Sequence, residues 1–248
     1  MTRITPPRKH EEIAEALTRE ILSGLYRCGQ RLPSERDLAL RFDANRGAVR
    51  EAMKHLEQLG LARIRPGGAR VAPLHEASLD VIGHMLAIGD VPDRNLMEQI
   101  FQVMSRLVVL AAENAVRRAN DEELAEIRRR LARMMDPGSD VAAFRQARIE
   151  MVSALMAASG NLVCRLIARS LLRQFAPRLA ALEGLVEIDY EAHRQCAERL
   201  DAAFAARDVA AVAEAFAALS RLDRESARRA FEALASRRSR PAADGTGS

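Results

Sequence analysis

Arg36, Arg46 and Arg50 crowd one short stretch of a chain whose only lysines are Lys9 and Lys54. A guanidinium is planar, permanently charged and forked, so it matches phosphate oxygens or the O6/N7 edge of guanine. Arg46, Arg50 and Lys54 recur every four residues, the spacing that lines one face of a helix. Val49, Met53 and Leu56 fall on an adjacent face and are expected to pack inward. A helix that is apolar toward its own domain and basic outward suits the major groove of B-DNA, its first turns meeting the bases. Arg36 stands near the start of another helix, placed for a phosphate with help from the helix dipole.

The elements that must hold these side chains are legible around them. Ile13, Leu17, Ile21 and Leu25 predict one apolar stripe on a first helix. Ser34-Glu35-Arg36-Asp37 resembles a capping box that opens a short helix through about Arg41. Asn45 is the expected cap of a third helix, which stops at Gly60. Leu61 to Val71 predicts two short strands around Pro66-Gly67-Gly68. Helix, helix, turn, helix and hairpin in that order make a winged helix-turn-helix over residues 8–74.

Beyond it the pattern is helical. Leu96, Ile100, Val103, Leu107 and Leu110 read as one stripe, and Leu124, Ile127, Leu131 and Met134 as another. Breaks fall at Asp136-Pro137-Gly138-Ser139, Ser159-Gly160-Asn161 and Gly184, and Asp208 is placed to cap a last long helix to about Ser236. Residues 79–236 are therefore expected to form an all-α bundle of six or seven helices, with 237–248 a disordered tail. The fold class is mostly α, with a small β wing in the first domain.

Charge supports the division. Residues 1–75 carry fourteen Lys/Arg against nine Asp/Glu, a net +5; residues 76–248 carry twenty-four against twenty-five. A basic module joined to a neutral one is the electrostatic footprint of nucleic-acid binding. The polar N-terminus and the lack of a long apolar run predict a cytoplasmic protein with no membrane partner. Three scattered cysteines, Cys28, Cys164 and Cys196, argue against a disulfide or zinc framework.

Residues 8–74 resemble a GntR-type regulator through Gly29–Ala39, Asn45–Met53 and Leu56–Leu61, three motifs in order. The resemblance implies DNA contact from Arg36, Asn45, Arg46, Gly47, Arg50 and the wing glycine Gly67. Gly47-Ala48 departs from the hydroxyl or proline residues usual there, which bears on operator preference. The second domain resembles the helical FCD domain of the FadR branch, through LDVIGHMLAIG, LAAENAVRRANDEEL, ALMAASGNLVCRLI and LDAAFAARDVAAVAEAF. That implies a ligand-responsive dimerisation bundle. Many such domains hold a divalent metal between one Asp and three His, and the metal grips an organic acid.

At those four positions this chain carries Arg148, Val152, Ala197 and Leu219. Residues 76–248 contain only His84 and His193, so three histidines cannot be assembled. Asp189 and His193, four apart, read better as a chance pair than as ligands. No metal and no cofactor is expected. The effector positions are then Arg148, Val152, Ala197 and Leu219, and two ligands are physically reasonable: an acyl or other largely apolar molecule, or an organic acid held directly by Arg148.

Enzyme function is excluded by chemistry. Some GntR-type proteins carry a pyridoxal-phosphate aminotransferase domain, which needs a Schiff-base lysine, and no lysine follows Lys54. No Gly-rich phosphate loop or nucleophile elbow is present either. The expected function is a sequence-specific regulator, a repressor, acting as a homodimer on a near-palindromic operator in double-stranded DNA, nucleoid-associated and tuned by a small molecule without the usual metal. The alternative is an effector-independent architectural or constitutive DNA-binding protein.

Overall fold

The computed structural model describes residues 8–89, 91–135, 140–180 and 183–238. The chain forms two compact units, divided between Pro92 and Asp93.

The N-terminal unit contains α1 (Lys9–Leu22), α2 (Glu35–Arg41), α3 (Arg46–Gln58), strands β1 (Ala62–Arg65) and β2 (Gly68–Val71), a 3-10 turn at Leu74–Glu76, and α4 (Val81–Met85). Ile13, Leu17 and Ile21 form the expected stripe and are buried, but Leu25 is 63% exposed. Gly24, at φ +83°, breaks the helix first, so the four-residue period no longer governs Leu25. Leu38, Val49, Met53 and Leu56 complete the core from α2 and α3. Leu56 is fully buried, and truncating such a leucine to alanine costs about 2–5 kcal/mol.

The hairpin pairs antiparallel, Arg65 opposite Gly68, leaving Pro66-Gly67 as the loop. Gly67, after the proline at the preceding corner, has φ +96°, a left-handed conformation that suits a residue without Cβ. The segment before α2 adds a third rung: Leu32 N–H donates to Ala69 O and Val71 N–H to Gln30 O, both at 2.9 Å. Gly60 ends α3 at φ +71°, and a Cβ there would stand 2.5 Å from the Glu76 carbonyl. Glycine is the residue that fits. Val81 is buried in this same core and Met85 packs against it. The helical pattern that begins near residue 79 thus starts inside the first unit, because α4 lays its apolar side on α1.

The C-terminal unit contains α5 (Arg94–Arg118), α6 (Asp121–Met134), α7 (Val141–Ala158), α8 (Leu162–Ala180), a 3-10 turn at Glu183–Leu185, α9 (Tyr190–Ala205) and α10 (Val209–Arg238). No strand occurs here among the described residues. Asp93, Asn120, Asp140, Asp189 and Asp208 each accept a backbone N–H from the first turn of the helix they precede. Helix α5 lies against α7, α8 and α10, while α6 packs on α7 and α9. The stripe on α6 is buried as expected. On α5 the core face is instead Met97, Ile100, Met104, Val108 and Ala111, with Val103 49% and Leu110 42% exposed. Apolar residues surround α5, so period alone does not select the inward face. The expected break at 136–139 lies outside the described residues. Helix α10 continues through Arg238, two residues into the expected tail, because arginine propagates a helix well. Residues 239–248 lie outside the described residues.

Candidate nucleic-acid interface and ligand cavity

Helix α3 is opened by Asn45, whose Oδ1 accepts from Ala48 N–H at 2.8 Å. That capping bond leaves only the Nδ2 amide of Asn45 to donate elsewhere. Arg46 is the first helical residue; it is exposed, and no acidic side chain lies in its turn. Among the described residues Arg46 forms no ion pair. A Cβ at Gly47 would come 3.1 Å from Asn45 Oδ1, so glycine keeps the cap unhindered and offers only backbone. Arg36, exposed in the first turn of α2, follows Ser34, whose Oγ accepts from Asp37 N–H at 3.2 Å. The Ser34 hydroxyl donates in turn to the Asp37 carboxylate at 2.6 Å and is the main cause holding it below its ordinary range.

Arg50 is not bare. Its Nε donates to Glu35 at 2.8 and 3.1 Å, tying α3 to the first residue of α2. Lys54 pairs within α3 with Glu51 at 2.8 Å. Arg50 and Gly67 meet in a groove of about 470 Å³ between α3 and the wing, which Arg31, Lys54 and Arg65 also line. Arg36 and Arg46 stand outside it. Arg31 and Arg65 were not foreseen. Arg65 could have been found as the cation directly before the wing turn; Arg31 depends on the pairing of residues 30–32 with β2, which no local signal carries.

A cavity of about 180 Å³ opens in the C-terminal unit. Its wall is mostly apolar, including Phe101, Phe144, Val152 and Phe175, with Arg148, His193 and Asp223 among the polar groups. Arg148 Nη2 donates to Asp223 Oδ2 at 3.0 Å. His193, almost wholly buried, contacts the Asp189 carbonyl through Nδ1 at 2.8 Å and Asp223 Oδ1 through Nε2 at 3.4 Å. A carbonyl only accepts, so Nδ1 carries the proton. Burial alone would raise the Asp223 carboxyl, but Arg148 and then His193 override it and hold it below its ordinary value. Arg148 Nε and Nη1 are buried with no hydrogen-bond partner.

Of the four positions the resemblance assigned to a metal, Arg148 and Val152 line the cavity. Ala197 and Leu219 are fully buried and do not. Asp189 spends its carboxylate on the cap of α9. His84 belongs to the N-terminal unit; burial first, then the nearby His55, lowers its pKa. Among the described residues no three His, Cys, Asp or Glu converge as metal donors. Among the described lining residues Asp223 and His193 are the only carboxylate and imidazole, Ser105, Ser220 and Ser226 add hydroxyls, and a fixed guanidinium already occupies the carboxylate, so a divalent cation does not fit. Burial pushes the Cys164 and Cys196 thiols up, away from thiolate chemistry.

A winged helix-turn-helix with exposed arginines on its third helix, joined to a helical unit enclosing a ligand-sized cavity, defines a class of transcriptional regulators. The profile described as "Bacterial regulatory proteins, gntR family" matches residues 9–71, and that described as "FCD domain" matches residues 99–222. The chain belongs to the GntR family, in its FCD-containing branch. It is 30% identical over 174 residues to the HTH-type transcriptional regulator Mce2R of Mycobacterium tuberculosis, covering 69% of this chain and 72% of that protein. It is 28% identical over 155 residues to the galactonate operon transcriptional repressor of Escherichia coli, covering 62% of this chain and 68% of that protein. The solved structure of Lar, described as controlling the Listeria monocytogenes agr system, shares the fold with TM-score 0.57 at 14% identity, covering 92% of this chain and 99% of that one. The protein is a DNA-binding transcriptional regulator and not an enzyme. No described helix is long and apolar enough to cross a membrane.

Proposed function

We propose that this regulator is a homodimeric repressor that reads a near-palindromic operator and is tuned by a small molecule in the C-terminal cavity, without a metal. It acts on the nucleoid, in the cytoplasm. The observation that carries the reading is the exposed Arg46, without an ion pair among the described residues, at the first turn of a buried-backed helix, beside a second guanidinium, Arg50, and a basic wing groove. Arg46 and Arg50 read bases, Arg36 and the groove cations bind phosphate, and Asn45, Gly47 and Gly67 bring the backbone close.

One recognition helix contacts too few bases for useful specificity, and two-fold symmetry is the remedy. A surface suited to it exists. Val103 and Leu110 on α5, and Leu162, Val163 and Leu166 on α8, are 42–66% exposed. Cys164 contacts the Leu107 carbonyl, which puts the two groups side by side. Repression follows the named role of the galactonate relative. An effector-independent role is less favoured because the cavity wall holds a half-buried guanidinium, Arg148, two of whose nitrogens are buried without a hydrogen-bond partner, which packing alone gives no reason to keep.

The test is selection of bound sequences from random DNA, then sedimentation of the free protein and the complex. The expected outcome is a two-fold symmetric site bound by a dimer. A monomer at micromolar concentration that shifts the selected site one copy at a time would refute it.

A further inference from the structure

The wing is tied to the recognition helix by more than its chain connection. Ile64 on β1 stands opposite Ala69 on β2. The Ala69 carbonyl accepts from Leu32 N–H, so this pair directs its backbone groups outward rather than at each other. Residues 30–32 thus cover the outer edge of β2. Among the described residues no strand lies beside the outer edge of β1. There Glu57, one residue from the end of α3, reaches across, and its Oε1 accepts from Ile64 N–H at 2.9 Å.

An acid is a costly choice at that place. The last turn of a helix carries negative partial charge, which repels a carboxylate. Ile64, whose amide Glu57 holds, lines the wing groove, as do Met53 and Lys54 one turn earlier on α3, so DNA phosphates would pass close by. Among the described residues Glu57 pairs with no cation that would offset either cost. What the charge does supply is strength, because an ionised acceptor makes a firmer bond to an amide than a neutral one.

That bond joins the two parts of the surface that meets DNA. Arg65 follows Ile64 directly, so fixing the Ile64 amide fixes the point from which the Arg65 side chain sets out. Arg50 on α3 and Arg65 on the wing line the two sides of one groove. With the wing held to the helix, the span between them is set before DNA arrives, and binding loses less freedom.

We infer that Glu57 is a positioning residue for operator binding: its carboxylate locks the wing to the end of α3, so that Arg65 meets a phosphate at a fixed distance from the bases that α3 reads. This rests on the proposed contact of α3 and the wing cations with DNA and names the residue that keeps the two in register.

Three variants of the full chain separate charge from reach. Glu57→Gln keeps an acceptor of the same length and loses the charge. Glu57→Asp keeps the charge and falls one methylene short. Glu57→Ala loses both. Each is made with and without Arg65→Ala, and affinity for the selected operator is titrated by fluorescence anisotropy across a salt series. In the parent and in Glu57→Gln, Arg65→Ala should flatten the dependence of log K on log salt by about one unit per half-site. In Glu57→Asp and Glu57→Ala the same change should flatten it by less than about half a unit, because a loosened wing no longer presents Arg65 in one place. Melting temperatures should stay within a few degrees of the parent, since water can reach the freed amide at the strand edge. Equal effects of Arg65→Ala in all four backgrounds overturn the inference and leave the wing a DNA contact. A split in which Glu57→Asp follows the parent and Glu57→Gln follows Glu57→Ala also overturns it, since charge and not the bond would then carry the effect. No effect of Arg65→Ala in the parent overturns the wing contact itself, and the inference with it.

Discussion

Replacing Arg46 by alanine should move stability and DNA affinity in opposite directions. Arg46 is the first residue of α3, beside the positive end of the helix dipole, with no acidic neighbour in the turn and no ion pair among the described residues to lose. A cation there costs about 0.3–1 kcal/mol, and alanine is the better helix former. The N-terminal unit should therefore gain a fraction of a kcal/mol, a rise of a few degrees in Tm for a unit of its size. In the complex each lost guanine contact costs about 1–3 kcal/mol, and a two-fold site loses it twice. That is roughly 2–6 kcal/mol, or a 30-fold to 10⁴-fold weaker operator complex. Binding to unrelated DNA should change far less. The assay is fluorescence anisotropy on operator and scrambled duplex, beside a melting curve. An operator affinity within twofold of the parent, or a melting point lowered by several degrees, would refute the assignment.

Arg36→Ala should weaken operator and scrambled DNA alike and flatten the dependence of log K on log salt by about one unit per half-site, measured by titration across a salt series. Asp223→Asn should leave Arg148 without its carboxylate partner and destabilise the C-terminal unit, toward the lower end of about 3–5 kcal/mol because both side chains are partly exposed. The folded Asp223 titrates below its ordinary 3.8, so its stabilisation is complete above that value and fades as pH falls through the folded value. Acid melting curves should accordingly lose part of their acid limb in the variant. Zinc or nickel should leave the melting temperature unchanged, and one tightly held metal per chain in protein purified without chelator would overturn the account of the cavity.

The N-terminal unit was largely legible because its signals are local. Ser34 and Asn45 announce their helices by a side chain three residues from the amide it caps, and Pro66-Gly67 specifies its own turn. What escaped was non-local or degenerate. The α5 face was misjudged because Leu, Val and Met surround that helix, and only the neighbours α7, α8 and α10 decide which side is covered. Arg148 stood out in sequence as an oddity at a ligand position, but its partner Asp223 lies 75 residues away and nothing near either residue announces the pair. Ala197 and Leu219 were grouped with Arg148 by resemblance, yet both are spent on packing. Arg31 reached the wing groove only through the rung it shares with β2.

The contact between Arg50 and Glu35 changes what it means for this protein to let go of DNA. On the proposed reading, Arg50 meets a base by exchanging one partner for another, since its guanidinium already has a carboxylate to return to. An exposed pair of this kind is worth about 0–1 kcal/mol, small beside a good guanine contact but comparable to a poorly placed phosphate. Wrong sequences then compete with Glu35 on nearly equal terms while the right one wins clearly. The carboxylate sets a threshold that shortens the stay on random DNA and spares the operator, so the search along the chromosome is quickened by a residue that touches neither base nor phosphate.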